Sequence, residues 1–139
     1  MKIYISSVLF LLLSGCNITA VNKAEKAKIY DDFITTNKLT SLKKITSFRL
    51  QNYISLDNRH LIISTTPTKS YLISLMSYCT DLQYASRINI KRSIASVLSV
   101  KFDAIVVPEI QNEKCYIKSI HQLTNEQVDA LSHLVKESP

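Results

Sequence analysis

One short segment carries side chains that could do chemistry together. Asp57, Arg59 and His60 fall within the four residues 57–60. A histidine beside an aspartate suits acid–base catalysis, because imidazole titrates near neutral pH. The same residues also suit a hairpin turn, in which Asp57 and Asn58 shape the loop and Arg59 or His60 ties it to a neighbouring strand. No serine sits in a recognisable nucleophile motif, so we favour the turn and predict no catalytic residue.

The other polar residues give separate signals. The three histidines, His60, His121 and His133, lack the spacing of metal sites, so neither a metal nor a cofactor is predicted. Arginines and tyrosines could line a groove for an acidic or aromatic partner, although strand tyrosines also suit cross-strand packing. The residues of this groove would be Arg49, Arg87, Tyr53, Tyr71 and Tyr84. The candidate binding residues are Arg49, Asp57, Arg59 and His60.

The first apolar run ends in a motif that indicates the compartment. Lys2 precedes an apolar stretch of about ten residues, which is too short for a transmembrane helix and typical of a signal peptide. The run ends in Leu13-Ser14-Gly15-Cys16, which resembles the cleavage site of bacterial lipoproteins. The resemblance implies lipid attachment at Cys16 and a lipid-anchored protein of the cell envelope. Asn17 after the cysteine, in place of Asp, favours the outer membrane, facing the periplasm.

Composition and this signal divide the chain. We predict a signal peptide over residues 1–15, a lipidated tether over 16–22 and a single α+β domain over 23–139, with a β core at about 44–120. Without residues 1–15 the chain keeps 16 basic and 11 acidic residues, a net charge of +5. The only glycine, Gly15, is also removed. The domain therefore cannot build a glycine-rich phosphate loop or a Gly-x-Ser-x-Gly nucleophile elbow.

The remaining cysteines predict a cross-link. With Cys16 assigned to lipid, Cys79 and Cys115 form an even pair in an oxidising compartment, which indicates a disulfide. No Cys-x-x-Cys or Cys/His cluster accompanies them, so a metal site is not favoured.

Periodicity predicts the elements that position these residues. A helix is predicted over about residues 23–37, and Thr124 with Gln127 forms a capping box that opens a terminal helix. Strands are predicted over 45–56 with a kink near Asn52, then over 61–66, 71–76, 88–91, 104–107 and 115–120. Residues 93–100 suit either a helix or a strand. We expect an α+β fold, with an antiparallel, curled sheet or small barrel of about six strands between two helices.

A longer pattern resembles a known family. Its residues are Phe48-Arg49-Leu50, Leu56-Asp57-x-Arg59-His60-Leu61, Tyr71-Leu72, Cys79-x-Asp81-Leu82-x-x-Ala85, Phe102-Asp103 and Cys115-x-Ile117. The pattern resembles an uncharacterised proteobacterial family of small exported proteins, a domain of unknown function. Members often carry tryptophan where this chain has Tyr53. The resemblance implies a fold and a disulfide, and it implies no catalytic residues.

The sequence leaves three hypotheses for function. The main one is a non-enzymatic binding or structural module, with the membrane as partner through Cys16, an envelope protein as a second partner and no nucleic acid. The first alternative is a periplasmic inhibitor of the lysozyme-inhibitor type, because Thr68-Lys69 resembles part of that family's Thr-Lys-Gly element. The positive net charge of this chain argues against an inhibitor of lysozyme, since lysozymes are also basic. The second alternative is a small hydrolase that uses Asp57 and His60.

Overall fold

The computed structural model describes residues 23–110 and 113–137. The predicted signal peptide, the lipid attachment at Cys16 and the tether over residues 16–22 lie outside the described residues. Within the described ranges, no helix is both long and apolar enough to cross a membrane.

An antiparallel sheet lies at the centre of the fold. The strands are β1 Ser41–Leu42, β2 Lys44–Thr46, β3 Asn52–Ser55, β4 His60–Thr66, β5 Lys69–Leu75, β6 Asn89–Lys91, β7 Val97–Ser99, β8 Ala104–Val106 and β9 Cys115–Leu123. The path β3-β4-β5-β9-β8-β6 curls into a half-barrel, and β1 pairs with β9 beside this path. Strands β2 and β7 form a separate antiparallel pair. The predicted α+β class and its curled antiparallel sheet are confirmed.

Both faces of the central strands are buried, which explains their continuous apolar runs. On one face, Leu61 and Ile63 of β4 belong to the larger core, which also includes both cysteines of the predicted pair. On the other face, Ile62 of β4 and Leu72 of β5 belong to a smaller core. The sheet therefore separates two apolar layers.

Two helices cover the smaller core. Helix α1 spans Lys23–Thr36 and buries Ala27 and Tyr30, and helix α2 spans Asn125–Glu137 and buries Leu131. The predicted capping box opens α2: the Thr124 N–H donates to Gln127 Oε1 at 2.9 Å, and the Gln127 N–H donates to Thr124 Oγ1 at 3.2 Å. Both predicted helices are confirmed.

The predicted long strand over residues 45–56 is wrong. The chain breaks after β2, where Ser47 adopts a left-handed φ of 53°, well before the expected kink at Asn52. The Phe48 N–H donates to the carbonyl of Ser96 at 2.7 Å, so this bend is tied to the segment that precedes β7. The ambiguous residues 93–100 accordingly contain a turn followed by β7. Pairing between these two distant segments therefore determines both the break after β2 and the structure of residues 93–100.

The predicted disulfide is confirmed. Cys79 and Cys115 are joined with an S–S distance of 2.02 Å, and each is 1% exposed. The bond connects the loop after β5 to the first residue of β9. It encloses the 3₁₀ turn Leu82–Tyr84 together with β6, β7 and β8.

Candidate binding site

The Asp57 segment forms a closed turn between β3 and β4. Asp57 Oδ1 accepts hydrogen bonds from the backbone N–H of Arg59 at 2.7 Å and from that of His60 at 2.6 Å. The N–H groups of Leu56 and Asp57 both donate to the carbonyl of His60. An aspartate that binds the backbone two and three residues ahead is a local turn former. The hairpin-turn interpretation therefore describes the geometry.

His60 lies between two carboxylates. Its Nδ1 is 3.1 Å from Asp57 Oδ1, and its Nε2 is 3.2 Å from Asp31 Oδ1 of helix α1. The residue is only 2% exposed, whereas 54% of the Asp31 side chain is accessible. Both ring nitrogens are thus occupied, and neither is positioned to take a proton from a substrate. His60 joins the sheet to a helix, where the sequence suggested a neighbouring strand.

Tyr30 completes this buried group from helix α1. Its ring centroid lies 5.2 Å from that of His60, and its hydroxyl donates to the carbonyl of Leu56 at 3.4 Å. Burial, followed by the nearby charge of Asp57, raises the pKa of Tyr30 to about 12. We call Tyr30, Asp31, Asp57 and His60 the polar lock, because together they hold α1 against the start of β4.

The neighbours of the polar lock also have structural roles. The Arg59 Nη2 donates to the carbonyl of Met76 at 3.0 Å, which ties the turn to the end of β5. The Asn58 Nδ2 donates to the Tyr78 hydroxyl at 2.8 Å, and Asn58 Oδ1 accepts from the backbone N–H of Gln83. Three of the predicted binding residues, Asp57, Arg59 and His60, therefore act together as a structural unit.

The described residues provide no metal site. No group of three or more His, Cys, Asp or Glu side chains in residues 23–110 and 113–137 could hold a metal ion. His121 lies in β9 opposite Leu72, and its Nδ1 is buried without a hydrogen-bond partner. Burial lowers the pKa of His121. His133 is exposed on α2.

The fourth predicted residue, Arg49, lies elsewhere and lines an open cleft. This cleft, which we call the arginine cleft, has a volume of about 560 Å³ and lies between the Ser47–Leu50 bend and the β6 segment. Its residues are Ser47, Phe48, Arg49, Leu50, Ile88, Asn89, Ile90, Arg92 and Ser96. Ligand sites are typically concave and largely apolar, with a few convergent polar groups.

Arg92 is the second cation of the arginine cleft. Its guanidinium carbon lies 5.7 Å from the centroid of the Phe48 ring, and its Nη1 is 3.4 Å from the carbonyl oxygen of Phe48. Stacking on an aromatic face restricts the side chain, so less entropy is lost when the guanidinium binds a ligand. Sequence reasoning missed Arg92, because it stands 43 positions from Arg49 and only the fold brings them together.

The predicted arginine–tyrosine groove does not form as a unit. Arg87 pairs with Glu109 at 3.6 Å, and Tyr71 belongs to the larger core. The Tyr53 hydroxyl donates to the carbonyl of Ala85 at 3.0 Å, and burial raises the pKa of Tyr53. Tyr84 lines a different depression that contains Asp81 and Glu109. Of the five predicted residues, only Arg49 lines the arginine cleft.

The two chain segments that form the arginine cleft carry charge of one sign. Residues 38–56 and 86–102 contain eight lysines and arginines and no aspartate or glutamate. The fold pairs these two segments through β2 and β7 and through the bond from Phe48 to Ser96. We call the surface of the two segments the basic face. The acidic residues of the described chain belong to other segments.

Comparison with known proteins gives the family. Residues 1–138 match the family of unknown function DUF6491. The chain belongs to this family. The match confirms the expected resemblance to a domain of unknown function, and the DUF6491 description assigns no activity. No curated protein and no solved structure matches the chain.

Proposed function

We propose that this DUF6491 protein is a non-enzymatic binding module of the bacterial envelope, anchored by lipid on Cys16 and recognising an acidic protein segment through the arginine cleft. The observation that carries the proposal is the position of Arg49 and Arg92 in one open cleft without a carboxylate. A guanidinium binds a carboxylate through two parallel hydrogen bonds, so two arginines in a cleft suit an acidic ligand.

The polar lock supports a role without catalysis. The residues with the best catalytic types, Asp57 and His60, are 5% and 2% exposed and bond to each other, to the backbone and to Asp31. A hydrolase would need its base within reach of a substrate proton. The alternative of a hydrolase at Asp57 and His60 therefore has no geometric support.

The basic face also bears on the inhibitor alternative. Thr68 and Lys69 lie at the exposed turn between β4 and β5, in a position from which they could contact a partner. A lysozyme is basic, however, and the basic face would repel it at long range. The same charge would attract an acidic partner, so electrostatics favour the acidic ligand.

The lipid anchor gives the proposed module its location. The sequence Leu13-Ser14-Gly15-Cys16 supports the anchor, and a buried disulfide suits an oxidising compartment such as the periplasm. Lys23 follows Cys16 by seven positions, a reach of at most about 25 Å for an extended chain. The domain would therefore act close to the membrane surface.

Titration with a fluorescent hexaglutamate peptide tests this function. The full chain, extracted from membranes in detergent, is compared by fluorescence anisotropy with the double variant Arg49→Gln/Arg92→Gln. We expect the double variant to bind about tenfold more weakly or worse, because two charge-assisted contacts are lost. The intact mass of the same preparation reports whether the chain begins at an acylated Cys16.

A matched variant controls for net charge. Lys69→Gln/Lys114→Gln removes the same charge from exposed positions outside the basic face. We expect its affinity to change less than about twofold, because distant surface charges are screened. Equal losses in the two double variants, or no binding by the wild type, would overturn the assignment of the arginine cleft.

A further inference from the structure

A second groove lies at the other end of the β2–β7 pair. It has a volume of about 780 Å³ and contains two of the most exposed apolar side chains of the described chain, Ile94 and Phe102. Ile94 is 62% exposed and Phe102 is 73% exposed. The groove is lined by Lys43, Lys44, Ser93, Ile94, Ser99, Val100, Lys101 and Phe102. We call it the lysine groove.

The loops that carry the two apolar side chains are held by Asp103. This aspartate is 0% exposed. Its Oδ1 accepts hydrogen bonds from the backbone N–H and the hydroxyl of Ser93, at 2.8 and 2.7 Å, and its Oδ2 accepts from the Ser99 N–H at 2.7 Å. Ile94 follows Ser93 directly, and Phe102 precedes Asp103. The hydrogen bonds of Asp103 thus fix the backbone next to both exposed apolar side chains.

The lysines keep their charge unpaired in this groove. Among the described residues, no carboxylate lies within ion-pair distance of Lys43, Lys44 or Lys101. The carboxylate nearest in sequence, that of Asp103, is buried and occupied by three donors. Lys101 has a left-handed φ of 70°, and its N–H donates to the carbonyl of Ile117 at 2.7 Å, which fixes its backbone. Three cations therefore surround an open apolar surface.

We propose that the lysine groove docks on an anionic phospholipid bilayer, with Ile94 and Phe102 entering the boundary between headgroups and acyl chains. Lysines extend apolar stems along such a surface and place their ammonium groups at the lipid phosphates. Apolar contact and attraction to anionic lipids together hold a protein at a membrane interface. The basic face, which lacks acidic residues, complements this surface in charge.

Docking would orient the domain, which the proposed lipid anchor alone would not do. This inference rests on the proposed function only for the location of the protein at a membrane. A tether on Cys16 would keep the domain near the bilayer without fixing which side faces it. The lysine groove would fix that side. The contact itself depends on described residues alone, so it can be tested whether or not the chain is acylated.

A single tryptophan reports the contact. The chain has no tryptophan, so Phe102→Trp introduces one emission signal at an exposed position. The full-length variant is mixed with vesicles of phosphatidylcholine alone or with about one-third phosphatidylglycerol. We expect a shift of the emission to shorter wavelength with the anionic vesicles and little shift with the zwitterionic ones. Tyr84→Trp, at a residue that is 78% exposed outside the groove, should give no shift with either.

Charge variants test the lysines in the Phe102→Trp background. We expect the triple variant Lys43→Gln/Lys44→Gln/Lys101→Gln to partition into anionic vesicles about 100-fold more weakly, because each of the three lysines contributes a similar amount to the free energy of binding at an anionic surface. Lys69→Gln/Lys114→Gln/Lys136→Gln removes the same charge elsewhere and should weaken this partitioning about threefold or less. Circular dichroism checks that the variants are folded.

The outcomes separate docking from the anchor. Protein that floats with the vesicles without an emission shift overturns docking and leaves the anchor in place. A chain that starts at Met1 and still shows the shift supports docking and overturns the anchor. Equal shifts with both vesicle types, or equal effects of the two lysine triples, overturn the proposal.

Discussion

The two faces of the central sheet are held to their neighbours in different ways. On the helix-covered face, a buried polar lock joins α1 to β4 through His60, with carboxylates on both sides of the ring. On the opposite face, the larger core is apolar and a disulfide closes it. The open clefts lie beyond this second face, on the β2–β7 segments.

The comparison shows that catalytic residue types do not by themselves indicate a functional surface. Asp57 and His60 are close in sequence because a tight turn needs short polar side chains that can bind its backbone. Burial then makes each hydrogen bond in the lock important for stability. On the basic face, Lys43, Lys44 and Lys101 have no carboxylate partner among the described residues, so their charges remain available to a ligand.

The largest expected effect is on the disulfide-closed face. Reduction of the Cys79–Cys115 bond should lower the free energy of unfolding by about 4 kcal/mol, because the bond closes a loop with a sequence separation of 36. Urea unfolding of the oxidised and reduced protein measures the difference. Reduction should also weaken hexaglutamate binding, since Phe48 and Ile88 of the arginine cleft pack in the same larger core as the two cysteines. Identical urea midpoints in the two states would contradict this account.

The next effect belongs to the polar lock. Asp57→Ala should lower the free energy of unfolding by about 3 kcal/mol, because two backbone N–H groups and the His60 ring lose a buried acceptor. Asp57→Asn should cost less, since an amide oxygen can still accept the backbone bonds. Chemical unfolding of both variants measures this order.

Asp32→Asn is the matched control for the lock. Asp32 pairs with Lys28 on the exposed side of α1, and this contact should contribute less than about 0.5 kcal/mol. If Asp57→Ala is as stable as Asp32→Asn, the lock does not hold the helix-covered face. Folded Asp57→Ala should still bind hexaglutamate like the wild type, because the arginine cleft lies apart from the lock.

The smallest expected effect is a loss of stability in alkali. Because the pKa of Tyr30 is raised to about 12 in the folded state, its stabilising contribution is complete below pH 10 and is lost as the pH rises from 10 to 12. At about pH 11 the loss should be about 1 kcal/mol. Comparing the free energies of unfolding of the wild type and of Tyr30→Phe at pH 9 and 11 isolates the contribution of the Tyr30 hydroxyl. If the difference between the two proteins is the same at both pH values, the expected contribution of Tyr30 is contradicted.

Local signals in the sequence predicted much of this fold. The helices follow from the spacing of Tyr30 and Leu131 with their apolar neighbours, and the capping box from Thr124 and Gln127. The hairpin from β4 to β5 follows from apolar runs around Pro67. The disulfide between Cys79 and Cys115 is predicted once Cys16 is assigned to lipid. In each case, nearby residues or a single chemical rule are sufficient.

The rest depends on contacts that the sequence does not display. The break at Ser47 has no glycine to mark it, and it exists because Phe48 binds the backbone of Ser96. The link from His60 to Asp31 spans 29 positions, so periodicity could not indicate it. Arg92 is in the same situation, because its value as a binding residue arises only beside Arg49. The structure places Arg49 in the arginine cleft, and it places Asp57, Arg59 and His60 together in the turn between β3 and β4.

The position of β9 bears on how the protein is made. This strand pairs with β1, β5 and β8, yet it begins only at Cys115, near the end of the chain. A growing polypeptide cannot complete the sheet before these last residues are available, because three earlier strands lack their partner until then. Completion of the sheet therefore depends on pairings between residues far apart in sequence, which favours slow folding.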